Sequence, residues 1–234
     1  TSGWFPKVLT KPADMRVMQN LMATVGEGGM KALEPPDTWV DQHDGRFEVL
    51  KGSSEYKEVS EFFLEALCGY RHGVEVVGLE RIQSMPLWQS YSVKKETMKA
   101  RNLKSPQHLV NNTEPEAVER RWLFHGTSSD VIPNIVQQGF NRAFAGRNAV
   151  AYGKGVYFAR DALYSSHSSY SCPDTEGIQR MFLCRVAVGD WCKGRNGQLT
   201  PDPKPGNRFE LFDSTVDTVG NPVSYTHLRA HETE

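Results

Sequence analysis

Long apolar runs are missing from this sequence of 234 residues. No stretch approaches the roughly 18 consecutive apolar residues that a membrane-spanning helix needs. The N-terminus also lacks a basic-then-apolar signal pattern, and Thr1 in place of Met reads as the start of a fragment. Cysteine is scarce: Cys68, Cys172, Cys184 and Cys192 include no Cys-x-x-Cys pair and no His at zinc-finger spacing. They read as reduced thiols of an intracellular protein, nuclear or cytoplasmic. His227 and His231 stand four apart, but the Glu that follows the first His of a zinc-protease helix is absent, so no metal site is expected. Excess charge is lacking too, with 27 Lys and Arg against 28 Asp and Glu and a net charge of -1. No general field would draw the chain to nucleic acid or to an acidic membrane. Gly153-Lys154-Gly155 has neither the spacer nor the Lys-Ser/Thr ending of a phosphate loop.

What is present describes an α+β domain. Residues 1–38 mix Gly and Pro with a short amphipathic stretch and read as a linker or tether; Pro35-Pro36 punctuates it, and the domain is expected to start near Trp39. Glu55 to Leu67 places Val59, Phe62, Phe63, Ala66 and Leu67 at helical spacing, capped by Ser53 or Ser54. Val74 to Ile82 is rich in branched residues and predicts a buried strand; Pro86 to Arg101 predicts a helix. Arg121 to Phe124 predicts a short strand that delivers His125. The run Ser128-Ser129-Asp130 is expected to cap a helix with the apolar face Val131, Ile132, Ile135 and Val136, stopped by Gly139. Asn141 to Gly155 predicts a loop, Val156 to Ala159 a strand, and Asp161 the cap of a short helix holding Tyr164 and Ser165. Met181 to Val188 alternates and predicts a central strand, with Phe209 to Phe212 another.

The chemistry-bearing residues cluster around His125-Gly126-Thr127. A strand-end His is by itself most simply a hydrogen-bonded structural residue, and a Tyr most simply a core aromatic. Here Gly126 follows the imidazole, and a residue without Cβ lets a ligand reach a backbone N–H and C=O that match the C=O and NH₂ of a carboxamide. Tyr157 and Tyr170 can bracket a pyridinium ring, with stacking and cation–π attraction of order 0.5–2 kcal/mol each. Ser165 adds a hydroxyl. A flat, amide-bearing ring attached to a sugar fits this set, and NAD is such a molecule.

His-Gly-Thr at 125–127, the Tyr-Gly-Lys-Gly-Val-Tyr-Phe-Ala run at 152–159 and the Tyr-Ser pair at 164–165 resemble the catalytic domain of the poly(ADP-ribose) polymerase family. Leu79 to Gln83 and Leu87-Trp88 add to the likeness, which extends from about Trp39 to Pro222 and is closest to the mono-ADP-ribosyltransferases that include macrodomain-bearing members. The resemblance implies an ADP-ribosyltransferase fold of two packed, mainly antiparallel sheets with peripheral helices. It implies an enzyme that transfers ADP-ribose from NAD to a protein side chain and releases nicotinamide, with NAD as co-substrate, no metal, and protein substrates as partners. His125 and Tyr157 would be the catalytic pair. His125 and Thr127 would hold the adenosine-side ribose, and the Gly126 backbone the nicotinamide amide. Tyr157 and Tyr170 would sandwich the ring, with Tyr164 beside them and Ser165 on the amide oxygen. Arg142 and Gly146 would contact the donor from a lid at 141–153. A binding module that keeps the fold without catalysis, and an NAD glycohydrolase using water as acceptor, are the alternatives.

The chain departs from the family after Pro222. Members continue into two apolar strands, the last carrying a third motif position that is Glu in polymer-forming members; that position is absent here. Residues 223–234 read as a non-native tail too polar for a buried strand, so that the domain at 39–222 is incomplete at its C-terminus. Glu232 and Glu234 match no motif. Mono-transfer is expected, on overall likeness and because residues 1–38 are too short for the regulatory helical domain of the DNA-dependent polymerases.

Overall fold

The computed structural model describes residues 33–39, 43–105, 109–111, 114, 117–141 and 150–227. Its order is β1 (Gly45–Glu48), α1 (Ser54–Glu65), β2 (Glu80–Gln83), α2 (Met85–Lys104), β3 (Glu119–Gly126), α3 (Ile132–Gln138), β4 (Val156–Ala159) and α4 (Ala162–Ser165). There follow β5 (Met181–Ala187), β6 (Trp191–Lys193), β7 (Pro203–Lys204), β8 (Asn207–Leu211), β9 (Ser214–Val216) and β10 (Ser224–His227). A six-stranded sheet, ordered β5-β3-β4-β10-β9-β6, carries the domain; β1-β2 and β7-β8 are two-stranded ribbons. Every pairing is antiparallel except β6 with β9. This is the expected α+β class.

Local chemistry explains the helices that frame the sheet. Ser53 caps α1, its hydroxyl accepting from Tyr56 N at 3.1 Å, and the helix sets Phe62 and Phe63 against Phe124 of β3. Pro86 opens α2 in its first turn, where a missing N–H costs nothing. Residues before β1 lie on α2, since Trp88 Nε1 donates to Glu34 O at 2.7 Å and the Trp39 and Trp88 rings meet edge-on at 6.2 Å. Gly139 ends α3 at φ 73°, and a Cβ there would lie 2.9 Å from Leu87 Cδ2. Ion pairs with buried members join further elements: half-buried Arg101 of α2 on buried Asp213, and buried Lys204 on both Asp190 and Glu210 at 3.2 Å.

Four expectations are corrected. Of the branched run at 74–82 only residues 80–82 lie in a strand, β2, because β1 offers just four partners. Val74 and Val77 instead lie at the surface, and Tyr56 donates its hydroxyl proton to Val76 O. Helix α3 starts after Val131 with no side-chain cap, so Ser128-Ser129-Asp130 forms a turn in front of it rather than its cap. Strand β5 is the edge of the sheet, not its centre, because it pairs with β3 alone. Its Phe182, Cys184 and Val186 face a cavity of about 450 Å³ closed by Trp88 and Tyr91 of α2. Finally, Ser224–His227, read as too polar for a buried strand, lies inside the sheet between β4 and β9. The backbone ladder makes that strand, Tyr and Thr suit extended geometry, and the Tyr225 ring meets Trp191 at 6.1 Å. The mismatch in polarity survives as a buried Ser224 hydroxyl without a hydrogen-bond partner. Glu232 and Glu234 lie outside the described residues.

Candidate active site

Strand β3 delivers His125 and Gly126 to the wall of a cavity of about 540 Å³. Strand β4 contributes Tyr157 from the neighbouring position, and α4 with the turn after it contributes Tyr164, Ser165 and Tyr170. With Thr127, seven of the nine residues singled out from the sequence line this one cavity. Arg142 and Gly146, with residues 142–149 of the expected lid, lie outside the described residues.

The imidazole is fixed in one tautomer. His125 Nδ1 lies 2.7 Å from Tyr157 O, and a carbonyl can only accept, so Nδ1 carries the proton. Burial holds the ring below its ordinary pKa of 6.5, against the opposing pull of that carbonyl. The ring is therefore neutral near pH 7, with the Nε2 lone pair left as an acceptor. Phe140 at 4.8 Å and Phe158 at 5.6 Å pack its sides.

Gly126 is glycine because nothing larger fits. A Cβ there would stand 2.2 Å from Ser165 O and 3.1 Å from Tyr170 Cβ. Strand β3 and helix α4 thus meet backbone to backbone, and Ser165 ties them by donating its hydroxyl proton to Phe124 O at 3.1 Å. As placed, that hydroxyl offers a ligand only its lone pairs.

The tyrosines are held rather than loose. Tyr157 Oη accepts from Tyr152 N at 2.9 Å and donates to Gly153 O at 2.8 Å. Tyr170 stacks on Tyr164, with centroids 5.3 Å apart, planes 20° apart and hydroxyls 3.3 Å apart. One face of Tyr170 is covered by that neighbour. Burial raises the pKa of Tyr157 and of Tyr164, so both are neutral phenols at physiological pH. Among the described residues lining the cavity, Asp130 is the one Asp or Glu, and there is no Lys or Arg. Among the described residues no group of three or more His, Cys, Asp or Glu is placed to hold a metal.

The sequence reading missed Asp130, Asn134 and Gln138, which bring a polar row at four-residue spacing from α3 and the turn before it into the cavity. The four-residue spacing stands in the sequence, where the apolar stripe of the same helix masks it. Val131 and Ile135 of that stripe also line the cavity rather than serving the core alone.

Comparison with known proteins gives a consistent result. The poly(ADP-ribose) polymerase catalytic domain matches over residues 53–206. Human protein mono-ADP-ribosyltransferase PARP14 is 36% identical over 191 residues, covering 80% of this chain and 10% of that protein. Mouse protein mono-ADP-ribosyltransferase PARP12 is 33% identical over 232 residues, covering 97% of this chain and 29% of its own length. Mouse protein mono-ADP-ribosyltransferase PARP10 is 33% identical over 179 residues, covering 76% and 17%. The chain therefore spans less than a third of the length of each of these relatives.

Proposed function

Because this chain belongs to the poly(ADP-ribose) polymerase catalytic-domain family, we propose that it is an intracellular enzyme that takes NAD as co-substrate and moves one ADP-ribose unit to a protein side chain, releasing nicotinamide. The observation that carries the reading is the glycine backbone in the cavity wall, closed on one side by Ser165 O and accompanied there by Tyr157, Tyr170 and a neutral His125. The Gly126 N–H donates to the carboxamide oxygen and its C=O accepts from the amide NH₂. Tyr157 and the face of Tyr170 turned from Tyr164 cover the cationic ring through their π faces; among the described lining residues Asp130 is the one Asp or Glu.

His125 Nε2 accepts from a ribose hydroxyl and so fixes the sugar. Thr127 and the polar row from Asp130 to Gln138 offer further partners to the adenosine half. Ser165 can turn its proton from Phe124 O to the amide oxygen, exchanging one neutral hydrogen bond for another at little net cost. The glycosidic C–N bond then breaks, and its electron pair leaves with nicotinamide as a neutral molecule. The electron-poor ribose carbon is captured by the acceptor's lone pair, and a proton carried by that acceptor atom is released to water. The protein's share is placement, which in favourable cases is worth about 7–11 kcal/mol.

Incubation with NAD labelled in the ADP-ribose part tests this. Label on protein is expected, lost in His125→Ala. Free ADP-ribose alone would mean a glycohydrolase, and NAD binding with neither product would mean a scaffold; either result overturns the transferase reading.

A further inference from the structure

Strand β3 contains a fault in register directly upstream of the site. Its pairing with β5 runs Glu119↔Ala187, Arg120↔Val186, Arg121↔Arg185, then jumps to Leu123↔Cys184, Phe124↔Leu183, His125↔Phe182 and Gly126↔Met181. Trp122 has no partner and adopts φ 63°, a left-handed conformation that for a bulky residue is an outlier and that a bulge normally gives to glycine. Its ring packs edge-on against Phe62 of α1 at 4.8 Å, and Phe62 stacks in turn on Phe124 at 5.6 Å and 12°.

The fault is what makes the faces agree. Leu123 and Cys184 share the core around Phe158 and Val186, whereas Phe124 and Leu183 share the core around Leu67 and Ala162. His125 and Phe182 both approach Phe140, on the first of these sides. A ladder continued regularly from Arg121↔Arg185 would set Leu123 against Leu183 and His125 against Met181, so each of these side chains would oppose a residue of the wrong face. His125 would lose its line to Tyr157 O, and Gly126 its seat under Ser165 O.

We infer that Trp122 is a positioning residue of the active site: keyed by Phe62 of α1, it holds the bulge that aims His125 and Gly126 into the NAD cavity. Its importance for the reaction rests on the proposed function, but its effect on His125 does not. The test therefore reads both in the full chain. The Nδ1–H, bare-Nε2 tautomer has its own ring ¹⁵N signature, observable with no turnover, and NAD affinity is measured by calorimetry.

Trp122→Phe, which keeps a ring for Phe62, is expected to retain the signature and to bind NAD within about twofold of the wild type. Trp122→Val can neither take the left-handed conformation nor reach Phe62; loss of the signature and at least about tenfold weaker NAD binding are expected. An unchanged signature in Trp122→Val, or its loss in Trp122→Phe to the same extent, overturns the inference. If Trp122→Val does not fold, Phe62→Leu removes the key from α1 with every residue of β3 unchanged, and Phe63→Leu, whose ring also meets Phe124, is its control; a signature weakened more in Phe62→Leu than in Phe63→Leu supports the inference, and an unchanged signature or equal weakening in both overturns it. If the wild type binds no NAD, the proposed function falls, while the signatures still decide the role of Trp122.

Discussion

Placing a methyl group on Gly126 is the most informative small change in this molecule. The glycine does not carry a positive φ, so the cost of Gly126→Ala is contact, not backbone conformation. The new Cβ would stand 2.2 Å from Ser165 O, where ordinary contact begins at 3.4 Å, so carbonyl and strand must separate by about 1.2 Å. Neither yields easily: Ala162 of α4 is fully buried, and Ser165 is tied to Phe124 O. Overpacking of this kind costs about 1–3 kcal/mol, which for a domain of this size lowers Tm by roughly 2–12 °C. The same displacement moves the N–H and C=O that are proposed to hold the carboxamide, and a misplacement of about 1 Å can cost on the order of a hundredfold. Thermal unfolding and NAD calorimetry measure the two effects. Gly78→Ala, with nothing near its Cβ, is the control and should stay within about 0.5 kcal/mol of the wild type. A Gly126→Ala protein with wild-type Tm and wild-type NAD affinity would refute the reasoning.

Burial of His125 predicts a pH dependence. Above pH 6.5 the ring is neutral in both folded and unfolded chains, so its full contribution is present. Below 6.5 the unfolded chain takes up a proton that the folded ring still refuses, so stability falls until the depressed folded value is passed. His125→Ala should flatten that part of a Tm-against-pH curve; an unchanged slope would place the effect elsewhere. Tyr157→Phe removes the hydroxyl that bridges Tyr152 N and Gly153 O and should cost about 1–2 kcal/mol of stability by denaturant titration. NAD affinity should change little in that variant but fall by about tenfold or more in Tyr157→Ala, which removes the ring as well. Asp213→Ala leaves the Arg101 guanidinium without its bidentate partner, and urea unfolding should show a loss of about 3–5 kcal/mol. Burial pushes the Asp213 carboxyl up, but the Arg101 hydrogen bonds outweigh it and hold the group below 3.8. That stabilisation is present above pH 3.8 and is lost as pH falls through the folded value, so the variant should show less acid sensitivity there than the wild type.

The site was more legible in the sequence than the strands that carry it. His125, Gly126, Tyr157 and Tyr164-Ser165 announce themselves because each residue type has few alternatives: only glycine fits under Ser165 O, and an imidazole next to it has a distinct chemistry. The bulge at Trp122 left no such mark. Tryptophan has no preference for left-handed backbone, and its conformation is imposed by Phe62, sixty positions earlier in the chain. The branched run at 74–79 failed as a strand for a related reason, since a β-former needs a neighbour and β1 is short. Ser224–His227 failed in the opposite direction: a gap between β4 and β9 recruits backbone whatever side chains it bears, at the expense of the Ser224 hydroxyl. The ligand-facing side of α3 was hidden because Val131 and Ile135 serve cavity and apolar stripe at once.

Titration of the ¹⁵N-labelled chain with nicotinamide alone tests the central claim most directly, because it reads the Gly126 backbone without requiring turnover. A saturable shift of the Gly126 amide, accompanied by Ser165 and Tyr170 and absent in Gly126→Ala, is the predicted result. Saturable binding that leaves the Gly126 amide unmoved, or no binding at all, would contradict the account.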